Sequence, residues 1–200
     1  LLGEAVSKCE HVAGVPLKPA IARELNSIYL SKGIHGTTSI EGNTLTEDEV
    51  RARVQGQLEL PLSRDYQGVE VDNILKAYNE IVEAVARQEE LLLTPERIQH
   101  FNRLVLKGLD LPGDVVPGEY RTHSVGVGTY RGAPAEDVPY LVEQLCKWLE
   151  SGDFEEVPDG MVDAVALIKA VVAHLYIAWI HPFGDGNGRT ARLIEFQLLV

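Results

Sequence analysis

Apolar residues recur at three- and four-residue spacing over most of the chain, in blocks from Leu17 to Ser31, Thr46 to Gln55, Val69 to Gln88, Thr94 to Lys107, Pro134 to Glu150 and Asp159 to Ile180. That period gathers apolar side chains on one face of an α-helix. A further apolar run follows from Ala191 to Val200. Helix starts are legible too: Thr46-Glu47-Asp48-Glu49 is a capping box, and Thr94-Pro95-Glu96 puts a capping hydroxyl, a first-turn proline and an acid in the favoured order. Pro112-Gly113 and Pro117-Gly118 punctuate the chain before Gly118 to Tyr130, where alternation rich in Val, Thr and Tyr predicts a short β-hairpin. The pattern predicts a mainly α fold, a helical bundle carrying one hairpin, with Leu175, Tyr176 and Trp179 in its core.

Composition narrows the function classes. With 200 residues, 45% of them hydrophobic, the chain can bury one sizeable core. A net charge of -12 and the lack of any Lys/Arg run exclude a broad nucleic-acid surface. Cys9 and Cys146 are too far apart in sequence to read as a disulfide framework or a zinc pair. With no signal peptide or membrane-spanning run apparent, a cytoplasmic protein without a membrane partner is expected. Self-association as a homodimer is left open.

Against that acidic background, the segment His181-Pro182-Phe183-Gly184-Asp185-Gly186-Asn187-Gly188-Arg189-Thr190-Ala191-Arg192 concentrates chemistry between two apolar helical runs. Its glycines permit positive backbone dihedrals. If a helix opens near Gly188, its free N–H groups and dipole make an anion site suited to phosphate. Arg189 and Arg192, three apart, can both reach a polyphosphate across that end. Asp185 would be out of place beside phosphates without a cation, and one carboxylate plus phosphate oxygens is the usual way to hold Mg²⁺. His181 is the one group there that titrates near neutrality, which suits a general base. Other motifs fail on spacing. No Gly-Lys-Ser/Thr follows, so this is not a P-loop, and an EF-hand loop from Asp185 would place Phe196 where calcium needs a bidentate Glu.

The twelve residues resemble the Fic family signature, His-x-Phe-x-Asp/Glu-Gly-Asn-Gly-Arg-x-x-Arg, and match it at every fixed position. The resemblance implies the Fic fold and transfer of AMP from ATP to a Tyr, Ser or Thr hydroxyl of a target protein, with pyrophosphate leaving. His181 would then be the base, Phe183 a buried anchor and Asp185 the Mg²⁺ ligand. Gly186, Asn187 and Gly188 would form the anion hole, Arg189 and Arg192 would hold the β- and γ-phosphates, and Thr190 and Ala191 fall within the same nucleotide-binding stretch.

Two upstream segments take meaning from the same resemblance. Thr37-Thr38-Ser39-Ile40-Glu41-Gly42-Asn43 is similar to the family's inhibitory Ser/Thr-x-x-x-Glu-Gly/Asn motif. Thr37 and Glu41 share a helical face, Gly42 stops the helix, and a carboxylate at that end is disfavoured by the dipole unless a cation compensates it. The resemblance names that cation as Arg192, in competition with the γ-phosphate. The hairpin, taken as a flap over 118–131, would add a target strand to its edge, with Val127, Gly128, Thr129 and Tyr130 flanking the nucleotide. On this reading residues 1–45 form an N-terminal helical segment with the inhibitory motif at 37–42, and 46–200 the Fic core with the signature at 181–192, and residues that usually follow the signature helix are expected beyond Val200. Removal of AMP, transfer of UMP or phosphocholine, and a nucleotide-sensing module without catalysis all remain open.

Overall fold

The computed structural model of the chain describes residues 2–127, 130–154, 157 and 160–200. Among these, eight α-helices follow one another: α1 (Leu2–Ala13), α2 (Pro19–Ile40), α3 (Glu47–Val54), α4 (Asp65–Ala86), α5 (Pro95–Val105), α6 (Val138–Leu149), α7 (Val162–Ile180) and α8 (Asn187–Leu199). Between α5 and α6 lies one antiparallel pair, β1 (Gly126–Val127) and β2 (Tyr130–Arg131).

Short helix α8 is the hub, because α2, α4, α5 and α7 all pack on it, α7 most extensively. Its Leu193 and Ile194 meet Ile177 of α7, Ile74 and Ile81 of α4 and Phe101 of α5 in one buried cluster. The start of α8 is therefore held from several directions at once. That is where the signature segment lies.

Local chemistry sets most of the boundaries. At α3, Thr46 Oγ1 accepts from Glu49 N–H and Glu49 Oε2 accepts from Thr46 N–H, the expected capping box. The Thr46 N–H, with help from Arg64, holds the Glu49 carboxyl down at about 2. Thr94 caps α5 through Arg97 N–H. The end of α2 is a Schellman turn: Gly42 N–H donates to Ser39 O and Asn43 N–H to Thr38 O, with Gly42 at φ +95.

Several expectations need correction. The helix expected to stop at Ser31 runs on through Gly33 and Gly36 to Ile40, so Thr37 sits inside α2 and Glu41 is its C-cap; packing against α3, α4 and α8 offsets the low helix propensity of those glycines. Helix α1 is not among the helical blocks expected above, although its Leu2, Ala5, Val6, Cys9, Val12 and Ala13 fall at three- and four-residue spacing. The hairpin is two residues per strand, and residues 118–125 are irregular, held by side chains rather than by a ladder. Tyr176 and Trp179 are exposed, at 39% and 48%, and form an edge-to-face pair on the surface of α7 rather than in the core. By length and composition α7 would pass for a membrane-crossing helix; here it packs in the bundle against α1, α6 and α8.

Candidate active site

The loop between α7 and α8 turns on two left-handed residues. His181 ends α7 at φ 50, ψ 62, and Gly186 caps α8 at φ 74, ψ 11. A Cβ on Gly186 would come within 3.0 Å of Asn102 Nδ2 and of Leu106, so glycine is needed there for both dihedral and space. A left-handed histidine is uncommon and strained, and such strain persists where surrounding structure over-determines it.

Asn187 supplies part of that determination. Its Oδ1 accepts from Phe183 N–H and its Nδ2 donates to Phe183 O, both at 2.9 Å, so one buried side chain clips the loop closed. Phe183 is 1% exposed and stacks against Tyr120 with ring centroids 5.6 Å apart. The resemblance implied a buried residue here, and Phe183 is buried. Asn187, expected in the anion hole, commits its side chain to the loop.

Two residues that sequence reasoning missed complete the frame. Fully buried Asn102 of α5 donates to Asp185 O at 2.9 Å and accepts from Gly118 N–H at 2.9 Å, joining the loop to the base of the hairpin segment. Arg121 is 5% exposed; its guanidinium donates to the carbonyls of His181 (2.7 Å), Ile180 (3.2 Å), His123 (2.7 Å) and Ala133 (2.5 Å). Its own N–H reaches Pro182 O. One buried cation thus locks both ends of the hairpin segment to His181. Tyr130 adds a bond from its hydroxyl to Trp179 O at 2.8 Å.

Half-buried His181 has its pKa lowered, chiefly by burial and also by the Arg121 charge, against smaller raising effects from the Ala178 carbonyl, Glu41 and Asp185. The imidazole is therefore neutral at pH 7 and able to accept a proton. Influence from Glu41 and Asp185 together means that all three groups share one neighbourhood.

At α8 the first intrahelical bond is Thr190 N–H to Gly186 O, so the N–H groups of Asn187, Gly188 and Arg189 lie ahead of it, as at any helix start. The Glu41 carboxylate stands against this end. A Cβ on Gly188 would collide with Glu41 Oε1 and lie 3.2 Å from both Arg192 Nη atoms. Arg192 donates from Nη2 to Glu41 Oε1 at 2.5 Å and from Nε to Thr37 Oγ1 at 2.5 Å, and Nη2 also reaches Thr37 O at 3.2 Å. The expected contact between Glu41 and Arg192 is present, with Thr37 as its second arm and Gly42 fixing the turn. Glu41 Oε1 thus lies beside Gly188 at the start of α8, with Arg192 as its hydrogen-bond donor.

Some expected roles do not fit. Arg189 is 4% exposed, donating from Nη1 to Glu70 Oε1 at 3.0 Å and from Nη2 to Asp185 Oδ1 at 3.2 Å; it faces a carboxylate pair rather than an open cleft. Thr190 and Ala191 are buried, and the Thr190 N–H is already bonded, so neither presents a free polar group. Gly128 and Thr129 lie outside the described residues, as does the Val127 side chain. Asp185 Oδ1 accepts from Gly186 N–H and Arg189, while Oδ2 has no partner among the described residues. Among the described residues no cluster of three metal-ligating side chains occurs. One partly free carboxylate fits Mg²⁺ only in company with phosphate oxygens.

This geometry can be set beside known proteins. The Fic/DOC family model matches residues 92–199, just over half of the chain. The chain is 30% identical over 178 residues to protein adenylyltransferase fic-1 of Caenorhabditis briggsae and 28% identical over 175 residues to that of Caenorhabditis elegans, covering 88% of this chain and 32% of each relative. It spans about a third of the length of those relatives. A Fic domain containing signaling protein from Bacteroides thetaiotaomicron superposes with a TM-score of 0.80 at 24% identity, covering 100% of this chain and 72% of that one, which speaks for the fold. With the family model running from before α5 to the end of α8 and the signature complete on the loop it spans, the chain belongs to the Fic/DOC family.

Proposed function

We propose that this chain is the catalytic module of a protein adenylyltransferase, moving AMP from ATP to a hydroxyl of a target protein, and that Glu41 holds it inactive at rest. The observation that carries the reading is the Glu41 carboxylate seated at the start of α8 against Arg192, beside a neutral His181. An anion site that an internal carboxylate fills is one that an anionic substrate must win. The activity for which the relatives are named, protein adenylyltransferase, supports ATP as that substrate and a protein as acceptor.

In the step itself His181 takes the proton of the acceptor hydroxyl, whose oxygen attacks the α-phosphorus. The bond to the β-phosphate bridging oxygen breaks and pyrophosphate leaves with that electron pair. The N–H groups at the start of α8 and the freed Arg192 receive the phosphate charge. Asp185, through its uncommitted Oδ2, would hold Mg²⁺, which supplies charge neutralisation on the phosphates when bound. An acceptor segment paired with the edge of β1 or β2 would bring its hydroxyl toward His181, since Arg121 ties that segment to the histidine carbonyl.

The half-exposed pair between Glu41 and Arg192 is worth about 1 kcal/mol, and displacing the carboxylate from the helix end costs about as much again. Competition of that size weakens ATP binding by about tenfold to thirtyfold, a brake that substrate or a partner can release. Label from α-labelled ATP should enter protein in Glu41→Gly and be lost again in Glu41→Gly/His181→Ala. Label that persists without His181 would remove it as the base.

A further inference from the structure

Glu70 of α4 belongs to no motif, yet it stands at the centre of a buried polar chain. Its Oε1 accepts from Arg189 Nη1 at 3.0 Å and its Oε2 from Asn43 Nδ2 at 2.8 Å. Arg189 in turn donates to Asp185 Oδ1. Asn43 follows Gly42 at the end of the inhibitory turn, and its amide is fully used, accepting from Leu45 N–H and donating also to Gln67 O. The side chains of Arg189 and Glu70 are only 5% and 13% exposed.

Fold stability is a weak reason for such a pair. A buried ion pair often contributes no more than well-packed apolar residues would. Arg189 also leaves its Nε buried with no partner among the described residues, an arrangement that costs stability. What the chain does fix is the carboxylate of Asp185: Arg189 and the Gly186 N–H both take Oδ1, which leaves Oδ2 without a partner among the described residues. Were Glu70 neutral, the whole Arg189 charge would fall on Asp185 and draw both carboxylate oxygens inward.

We propose that Glu70 is a positioning residue for the nucleotide site, acting through Arg189 to keep one oxygen of Asp185 free for a phosphate-bound Mg²⁺, with Asn43 tying the inhibitory turn to the same carboxylate. The inference rests on the adenylyltransferase reading for the ligand, but its readout is binding rather than turnover. Outer-shell partners of this kind change metal affinity by about tenfold or more when lost.

The test uses the 200-residue chain carrying Glu41→Gly, with ATP affinity measured by calorimetry with Mg²⁺ and without it. Adding Glu70→Gln should lower the Mg²⁺-dependent gain in affinity by about tenfold, with metal-free ATP affinity held within about twofold of its parent. Asn43→Asp keeps the acceptor for Leu45 N–H while setting a second carboxylate against Glu70. It should show the same selective loss to a smaller degree, and it carries the test if Glu70→Gln fails to fold. Equal losses with and without Mg²⁺, no loss at all, or a parent that gains nothing from Mg²⁺ would each overturn the relay. A parent that binds ATP with Mg²⁺ yet modifies no protein would instead sink the transferase reading, leaving the relay to be judged by the affinities.

Discussion

Arg192 and Glu41 lie 151 positions apart in the chain and meet at 2.5 Å, at the N-terminal end of α8. The contact depends on backbone features at both ends. Gly42 in its Schellman turn leaves Glu41 as the C-cap of α2, and Gly188 has no side chain to keep the carboxylate away. Either glycine replaced by a larger residue would disturb this contact before any change in charge.

His181 holds a left-handed conformation that a glycine would adopt without strain. His181→Gly should be more stable to denaturant than His181→Ala by about 1 kcal/mol, and both should lose transfer by at least about a hundredfold. Equal stability of the two variants would mean that the backbone stores no strain there.

The pH dependence follows from the direction of the histidine shift. Burial lowers the His181 pKa below the ordinary 6.5, so the base stays deprotonated at pH values where an exposed histidine would already be charged. The acid limb of kcat/KM in the Glu41→Gly chain should therefore fall below pH 6.5, further displaced because the raising influence of Glu41 is gone. The same shift makes the unfolded state the better proton binder, so His181 contributes a loss of stability as pH drops through 6.5 toward the lowered value. A limb at or above that pH would contradict a buried neutral base.

Asn187 closes the signature loop through two bonds to the backbone of Phe183. Asn187→Ala strands a buried N–H and a buried C=O, and should cost about 2 to 4 kcal/mol by urea denaturation. Asn187→Asp keeps the acceptor but not the donor and should cost less than the alanine variant. A loss below about 0.5 kcal/mol for the alanine change would show that the loop is held by Phe183 packing alone.

Much of this was legible before the fold was known, for a physical reason. Capping boxes, apolar periods and the His181 to Arg192 signature are local, so α3 to α8 and the loop between α7 and α8 could be read from spacing. Glu41 and Arg192 could be paired only through family resemblance, since nothing in either segment alone names a partner so distant. Asn102, Arg121 and Glu70 were not legible at all. Each is one polar residue within an ordinary helix or loop, and its importance comes from carbonyls and guanidinium groups that only the folded chain brings near. The same holds for Arg189, whose sequence position promised a phosphate contact but whose neighbours in space are Glu70 and Asp185. The run of α2 through Gly33 and Gly36 was missed because packing on α4 and α8, not propensity, sustains it.

On the proposed function, the site transfers AMP and Glu41 restrains it. Intact-mass measurement of the chain and of Glu41→Gly, after incubation with ATP and Mg²⁺ and in parallel with other nucleotides, tests both parts at once, because self-modification needs no known target. Glu41→Gly with ATP should gain the mass of one or more AMP groups, and the unaltered chain little or none. Equal modification of the two chains would contradict the brake, and an unchanged mass for Glu41→Gly with every nucleotide would contradict the transferase.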